Sequence, residues 1–213
     1  MNFELERKSL VERMKSEGAV KSKEVENSFL AVKRELFVNP SMQNSSYADD
    51  ALPLIKGQTI SQPSTIAAML ENLQVRKDQK VLEIGSGCGY VLALLSKIAG
   101  SKGKVFGIEL LPELAEISKK NLKNAGVKNA KVFCADGSKG LSEQAPFDRI
   151  LISAACAKVP DALVEQLAEG GILVAPVGAA FSQQLEILEK KNGELLQSFA
   201  PGFYVFVPLK FRE

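Results

Sequence analysis

The stretch VLEIGSGCGY, Val81 to Tyr90, ends a hydrophobic run in an acid and then places Gly85, Gly87 and Gly89 at every second position. Glycines between a strand and a helix let backbone N–H groups approach a ligand closely. The dinucleotide fingerprint is G-x-G-x-x-G, and a phosphate-binding P-loop needs G-K-[ST]. This turn is one residue tighter than the first and lacks the second. Glu83 stands two places before Gly85, where a carboxylate is awkward for a pyrophosphate and suits a cation. Glu109 lies about twenty residues beyond the glycines, where an acid can accept hydrogen bonds from both ribose hydroxyls. At Asp136-Gly137 a third carboxylate can receive an adenine amino group. An adenosine bearing an amino-acid cation satisfies all three acids, and S-adenosylmethionine is such a ligand. The candidate cofactor set is Glu83, Gly85, Ser86, Gly87, Gly89, Glu109, Leu110, Asp136 and Gly137. The competing reading is that the acids only cap helices or loops. NAD shares the acid after the second strand but not the glycine spacing.

The elements that must hold these residues can be read from periodicity. KVLEI (80–84), KVFGIE (104–109), AKVFCAD (130–136), FDRILISAA (147–155) and GGILVAPV (170–177) read as buried strands. Helical segments separate them: Gly89 to Ala99, Pro112 to about Asn124, and a short one from Pro160 to Leu167. Strand and helix in alternation spell a parallel sheet with crossover helices. The three acids would then lie along its carboxyl edge, where ligands bind. Asn192-Gly193 between two extended runs marks an antiparallel hairpin, and GFYVFVPL (202–209) reads as one last strand. Upstream, residues 3–17 form an amphipathic pattern, and Ser22 is placed to cap a second helix running through Val32. Residues 39–62 are rich in Ser, Asn, Asp, Pro and Gly, and a loop of that length usually carries function. Pro63 suits the first position of a third helix.

Composition narrows the chemistry. The chain of 213 residues has no histidine, which excludes Ser-His-Asp and Cys-His catalysis and histidine metal sites. Cys88, Cys134 and Cys156 are odd in number and far apart, so neither a disulfide framework nor a metal site is expected. Cys88, at a helix N-terminus, is a candidate for a lowered thiol pKa. A net charge of +2 gives no electrostatic reason for nucleic acid or an anionic membrane. No apolar run reaches membrane-spanning length, and the charged N-terminus lacks a secretory h-region. A cytoplasmic monomer is expected.

Several segments in order resemble the protein-L-isoaspartate (D-aspartate) O-methyltransferase family. YADDALPLIKGQTISQPS is similar to its substrate-loop signature and VLEIGSGCGY to its cofactor loop. APFDRILISAA, GGILVAPVG and VFVPL are similar to three of its strands. The resemblance covers residues 34 to 209, with GQTIS and FVPL its most specific parts. It implies a Rossmann-like class I methyltransferase fold: a mostly parallel α/β sheet with a C-terminal antiparallel hairpin, preceded by N-terminal helices. One domain, 1–213, is expected, with 1–62 as helical cap and substrate loop and 63–213 as cofactor-binding core. The implied reaction is methyl transfer from S-adenosylmethionine to the α-carboxylate of L-isoaspartyl residues in damaged proteins and peptides, starting their repair. By the same resemblance Ser61 is the active-site serine. Thr59, Ile60 and Ser64 lie by the cofactor, and Leu52, Pro53, Leu54, Val207 and Pro208 face the substrate.

The chain departs from the family pattern at Ala51, Ile55 and Ser64, where proline, glycine and often histidine are usual. Ile55 puts a stiff side chain in the substrate loop. Lys56 beside it is read either as an attraction for acidic substrates or as a solvated lysine. Ser61 could instead cap the helix that begins at Pro63. Two other functions compete: a methyltransferase of a small molecule or RNA on the same fold, and a cofactor-binding protein without catalysis.

Overall fold

Side-chain oxygens open the first two helices. Asn2 accepts from the Glu4 and Leu5 N–H groups at the start of α1 (Phe3–Ser16), and Ser22 accepts from Val25 N–H at the start of α2 (Lys23–Ala31). The computed structural model describes residues 2–211, so Met1, Arg212 and Glu213 of the expected domain lie outside it. The long polar segment is more structured than its composition suggests. After a 3-10 turn at Arg34–Leu36 it makes two more, at Pro40–Ser45 and Ile55–Gly57, and a small antiparallel ribbon of β1 (Leu52–Pro53) and β2 (Thr59–Ile60). Pro63 takes the first position of α3 (Pro63–Leu73) as expected.

The core follows as β3 (Lys80–Ile84), α4 (Tyr90–Ala99), β4 (Lys104–Glu109), α5 (Pro112–Asn124) and β5 (Ala130–Cys134). Then come β6 (Phe147–Ile152), α6 (Asp161–Glu165), β7 (Leu167–Ala179), β8 (Ser182–Lys191) and β9 (Glu194–Phe199). The sheet runs β5-β4-β3-β6-β7-β8-β9, parallel from β5 to β7 and antiparallel beyond. Strand order reverses at β3, which puts the ligand-binding crevice at the carboxyl ends of β3, β4 and β6. Alternate residues of each strand feed two apolar layers. Val81 and Leu151 join Met14, Phe29, Leu70 and Leu92 on the face covered by the N-terminal helices. Leu82, Ile84 and Ile150 join Phe106, Phe147 and Leu163 on the other.

The hairpin forms where Asn192-Gly193 marks it. Lys191 pairs with Glu194, and both turn residues are left-handed, with φ of 54° and 78°. The Glu169 carboxylate accepts from both turn N–H groups. The last expected strand, 202–209, is a correction: it makes only isolated bridges, Gln183 with Tyr204 and Ala155 with Pro208. Its partners are Gln183 in β8 and Ala155 in the loop after β6, and Pro208 has no N–H to continue a ladder. Other boundaries differ modestly. The third and fourth core strands end at Cys134 and Ile152, and β7 begins at Leu167, before the glycine pair.

Gly107 in β4 allows the sheet to pack against the glycine turn. A Cβ there would fall 2.5 Å from Leu92 Cδ1 and 2.9 Å from Ser86 Cβ. We expect Gly107→Ala to cost about 1–3 kcal/mol through overpacking. Urea unfolding should show a lower midpoint at unchanged slope; an unchanged midpoint would mean that α4 withdraws without cost.

Candidate active site

The glycine turn is held from β4. Gly85 and Ser86 N–H groups donate to the Ile108 carbonyl at 2.8 and 3.0 Å. Gly87 N–H donates to Glu109 Oε2 at 2.9 Å, and Leu111 N–H donates to Glu109 Oε1 at 3.0 Å. Each carboxylate oxygen keeps acceptor capacity for a ligand hydroxyl. Gly89, at φ +87°, starts α4 so close to α5 that a Cβ would meet Ser118 Oγ at 2.6 Å. Asp136 does cap a turn: its Oδ1 accepts from Ser138 N–H at 3.0 Å and Ser138 Oγ–H at 2.7 Å.

Glu83 is only 1% exposed. Its Oε1 accepts from the Ser153 hydroxyl at 2.8 Å, while its buried Oε2 has no hydrogen-bond partner among the described residues. Burial pushes the carboxyl up to about 8; Ser153 holds it down, and the neighbouring Glu109 adds to the rise. An orphaned buried carboxylate oxygen fits a site that receives a cation. Cys88 corrects an expectation. It is buried, and burial pushes its thiol up to about 11, so it is not activated by the helix N-terminus.

Two adjoining pockets open on this edge. The first is walled by Gly85, Gly87, Glu109, Leu110 and Gly137 on the sheet side, and by Gln58, Thr59, Val207 and Pro208 opposite. The second is walled by Ser61, Gln62, Thr65, Phe203, Tyr204 and Val205. Thr59, Ser153 and Val207 line both, so they form the partition. The first pocket therefore offers an acid for a ribose at Glu109, apolar walls, and a buried acid one hydrogen bond behind its surface. That set fits an adenosine carrying an amino-acid cation.

The structure brings Thr59, Gly85, Gly87, Glu109, Leu110 and Gly137 together around the first pocket, with Ser61 facing the second. Val207 lines both, and Pro208 lines the first rather than the second. Leu52, Pro53 and Leu54 line neither. Leu52 is buried opposite Ile60, Pro53 is exposed, and Leu54 would touch a Cβ placed on Gly87. Ile60, Ser64, Glu83, Ser86, Gly89 and Asp136 also stay off both surfaces. Ser64 is engaged by its backbone, which donates to Asp49 Oδ1 at 2.8 Å. Asp49, not Ser61, therefore caps α3, and the Ser61 hydroxyl has no hydrogen-bond partner among the described residues. Sequence reasoning missed Ser153 and Gln58. Ser153 follows the end of β6 directly, the same carboxyl-edge position that singled out the acids.

Lys56 Nζ lies 3.2 Å from Glu113 Oε1, so the turn at Ile55–Gly57 is joined to the start of α5 beside the first pocket. Among the described residues no cluster of three or more Asp, Glu or Cys could hold a metal, and no helix is long and apolar enough to cross a membrane.

Comparison with known proteins agrees with this geometry. The family described as protein-L-isoaspartate(D-aspartate) O-methyltransferase matches residues 5–213. A protein-L-isoaspartate O-methyltransferase of Pyrococcus abyssi is 43% identical over 204 residues, 95% of this chain and 93% of its own. A second, from Archaeoglobus fulgidus, is 42% identical over 210 residues, 99% of this chain and 95% of its own. Among solved structures, a Plasmodium falciparum protein described as a putative member, in complex with S-adenosyl-L-homocysteine, superposes with a TM-score of 0.85 at 27% identity. That match covers 96% of this chain and 98% of the other. Another protein-L-isoaspartate O-methyltransferase also reaches 0.85, at 30% identity over 95% of this chain, which spans 65% of that longer one. With the fold, the glycine turn and the sequence in agreement along nearly its whole length, this chain belongs to the protein-L-isoaspartate (D-aspartate) O-methyltransferase family.

Proposed function

We propose that the chain methylates the α-carboxylate of L-isoaspartyl residues in damaged proteins, with the cofactor in the first pocket and the isoaspartyl end in the second. The observation that carries this is the shared partition of Thr59, Ser153 and Val207, which sets Ser61 one wall away from the first pocket. S-adenosylmethionine, when bound, supplies a methyl group on a sulfonium, which needs no further activation to leave.

The chain's own residues bind, orient and exclude water. Glu109 accepts from the ribose, Gly137 borders the adenine end with Asp136 just behind it, and Leu110, Leu111 and Leu114 cover it. Ser61, free of any capping duty, donates its hydroxyl to a substrate carboxylate oxygen and aims the other oxygen across the partition. That nucleophile has a pKa near ~3.5 and is ionised at neutral pH, so no general base is needed. A site without histidine suits this reaction. The amide nitrogen that follows then attacks the methyl ester, methanol leaves, and water opens the resulting succinimide in part to normal aspartate. The direct test is methyl transfer to an isoaspartyl peptide with its aspartyl twin as control; transfer to both alike would overturn the assignment.

Ser61→Ala should lower kcat by about tenfold or more while shifting cofactor Kd less than twofold, because an orienting bond is realised mainly in the transition state. Equal turnover of variant and parent would remove Ser61 from the reaction.

Acidity separates binding from chemistry. Below about pH 8 the Glu83 carboxyl holds its proton in the ligand-free protein and is neutral, so it does little to favour a cation. As pH rises from about 6 to 7.5 a growing fraction ionises, and affinity for S-adenosylhomocysteine should climb several-fold. The single-turnover rate at saturating cofactor and substrate should stay flat over the same window, since an ionised carboxylate needs no base. A rate rising about tenfold per pH unit would exclude a carboxylate nucleophile. Calorimetric affinities that do not change with pH would exclude Glu83 from the cation site.

A further inference from the structure

Glu83 is too deep to meet a ligand directly. It lines neither pocket, yet its Oε1 is bound at 2.8 Å by Ser153, which lines both. A serine hydroxyl has one proton to give and two lone pairs to receive with. With Glu83 ionised, the form that a bound cation favours, that proton is committed to Glu83, so the oxygen that remains toward the pockets is an acceptor only. Its electron density is raised by the carboxylate behind it. The position is fixed by backbone as well: Ser153 N–H donates to the Ile84 carbonyl at 2.8 Å, tying the end of β6 to the end of β3 just ahead of Gly85.

We propose that Ser153 is the residue that receives the ammonium group of the cofactor's amino-acid end, and that Glu83 acts as a positioning residue through it. This rests on the assignment of the first pocket to S-adenosylmethionine. Two neighbours support it. Gly85 and Ala154 line the first pocket beside Ser153 and bring no polar side chain of their own. Glu109, a second buried acid on this edge, is occupied by Gly87 and Leu111 N–H groups and sits at the ribose position. Because Ser153 also forms the partition, the group that recognises the cofactor's cation borders the path to Ser61. Cofactor loading and substrate seating therefore share one side chain.

The test compares two ligands that differ only beyond the adenosine thioether. S-adenosylhomocysteine carries the ammonium; 5′-methylthioadenosine does not. Calorimetry on the full chain should show Ser153→Ala weakening S-adenosylhomocysteine by about tenfold, the usual scale for a hydrogen bond to a charged group. Binding of 5′-methylthioadenosine should change by less than twofold, which also reports that the variant is folded. Ser153→Thr, which keeps the hydroxyl, should restore most of the loss. Equal weakening of both ligands would make Ser153 a structural residue and overturn the proposal. So would unchanged S-adenosylhomocysteine binding, or a Thr variant as weak as the Ala variant. If the parent chain binds neither ligand, the cofactor assignment itself falls, an outcome distinct from any failure of the variants.

Discussion

The Glu109 carboxylate is the fastening on which the site depends. It accepts one N–H from the glycine turn after β3 and one from the start of the α5 connection, so a single side chain ties two strand ends into one rim. Without it, the Gly87 and Leu111 N–H groups would lose their partners at a half-buried rim, at a cost of up to about 1–3 kcal/mol for each group left unsatisfied. The acid that best suits a ribose is thus already required by the protein.

The N-terminal segment works against the same rim from the other side. Arg34 is fully buried, donates to the Asp50 carbonyl at 3.3 Å and lies 5.2 Å from the centre of the Tyr90 ring. Tyr90 begins α4, and Phe29 and Phe37 pack edge-on against it. The polar loop is pinned in turn. Tyr47 donates to Glu35 and accepts from Arg7, and Asp49 closes the end of α3. These contacts hold GQTIS beside the cofactor wall, so helices remote in sequence set where Ser61 stands.

Much of this was legible in the residues, because strong signals coincided. Buried apolar runs, a glycine turn and a hairpin dipeptide each impose one backbone geometry, and they agreed on one sheet. The acids at strand ends were legible for the same reason. What escaped was set by tertiary contacts. GFYVFVPL has the alternation of a strand, yet it crosses the sheet edge and leaves Phe203 and Val205 exposed, at 73% and 72%. Glu83 was read as an acid facing the ligand at the carboxyl edge, and only the packing shows it hidden behind Ser153. Asp49 looked like one polar residue among many until the fold brought it to α3.

The Asn192-Gly193 turn carries a consequence for the ageing of the molecule itself. Asparagine followed by glycine is the dipeptide that most readily closes to a succinimide and becomes isoaspartyl, because the glycine nitrogen can attack the side-chain amide. Here that nitrogen donates to Glu169 Oε2 at 3.2 Å, and its neighbour's N–H is held by the same carboxylate. Ring closure must first break that bond and leave the left-handed backbone of the turn. A protein whose task is to meet such lesions in others thus carries its own most vulnerable peptide on an exposed turn, restrained by one carboxylate.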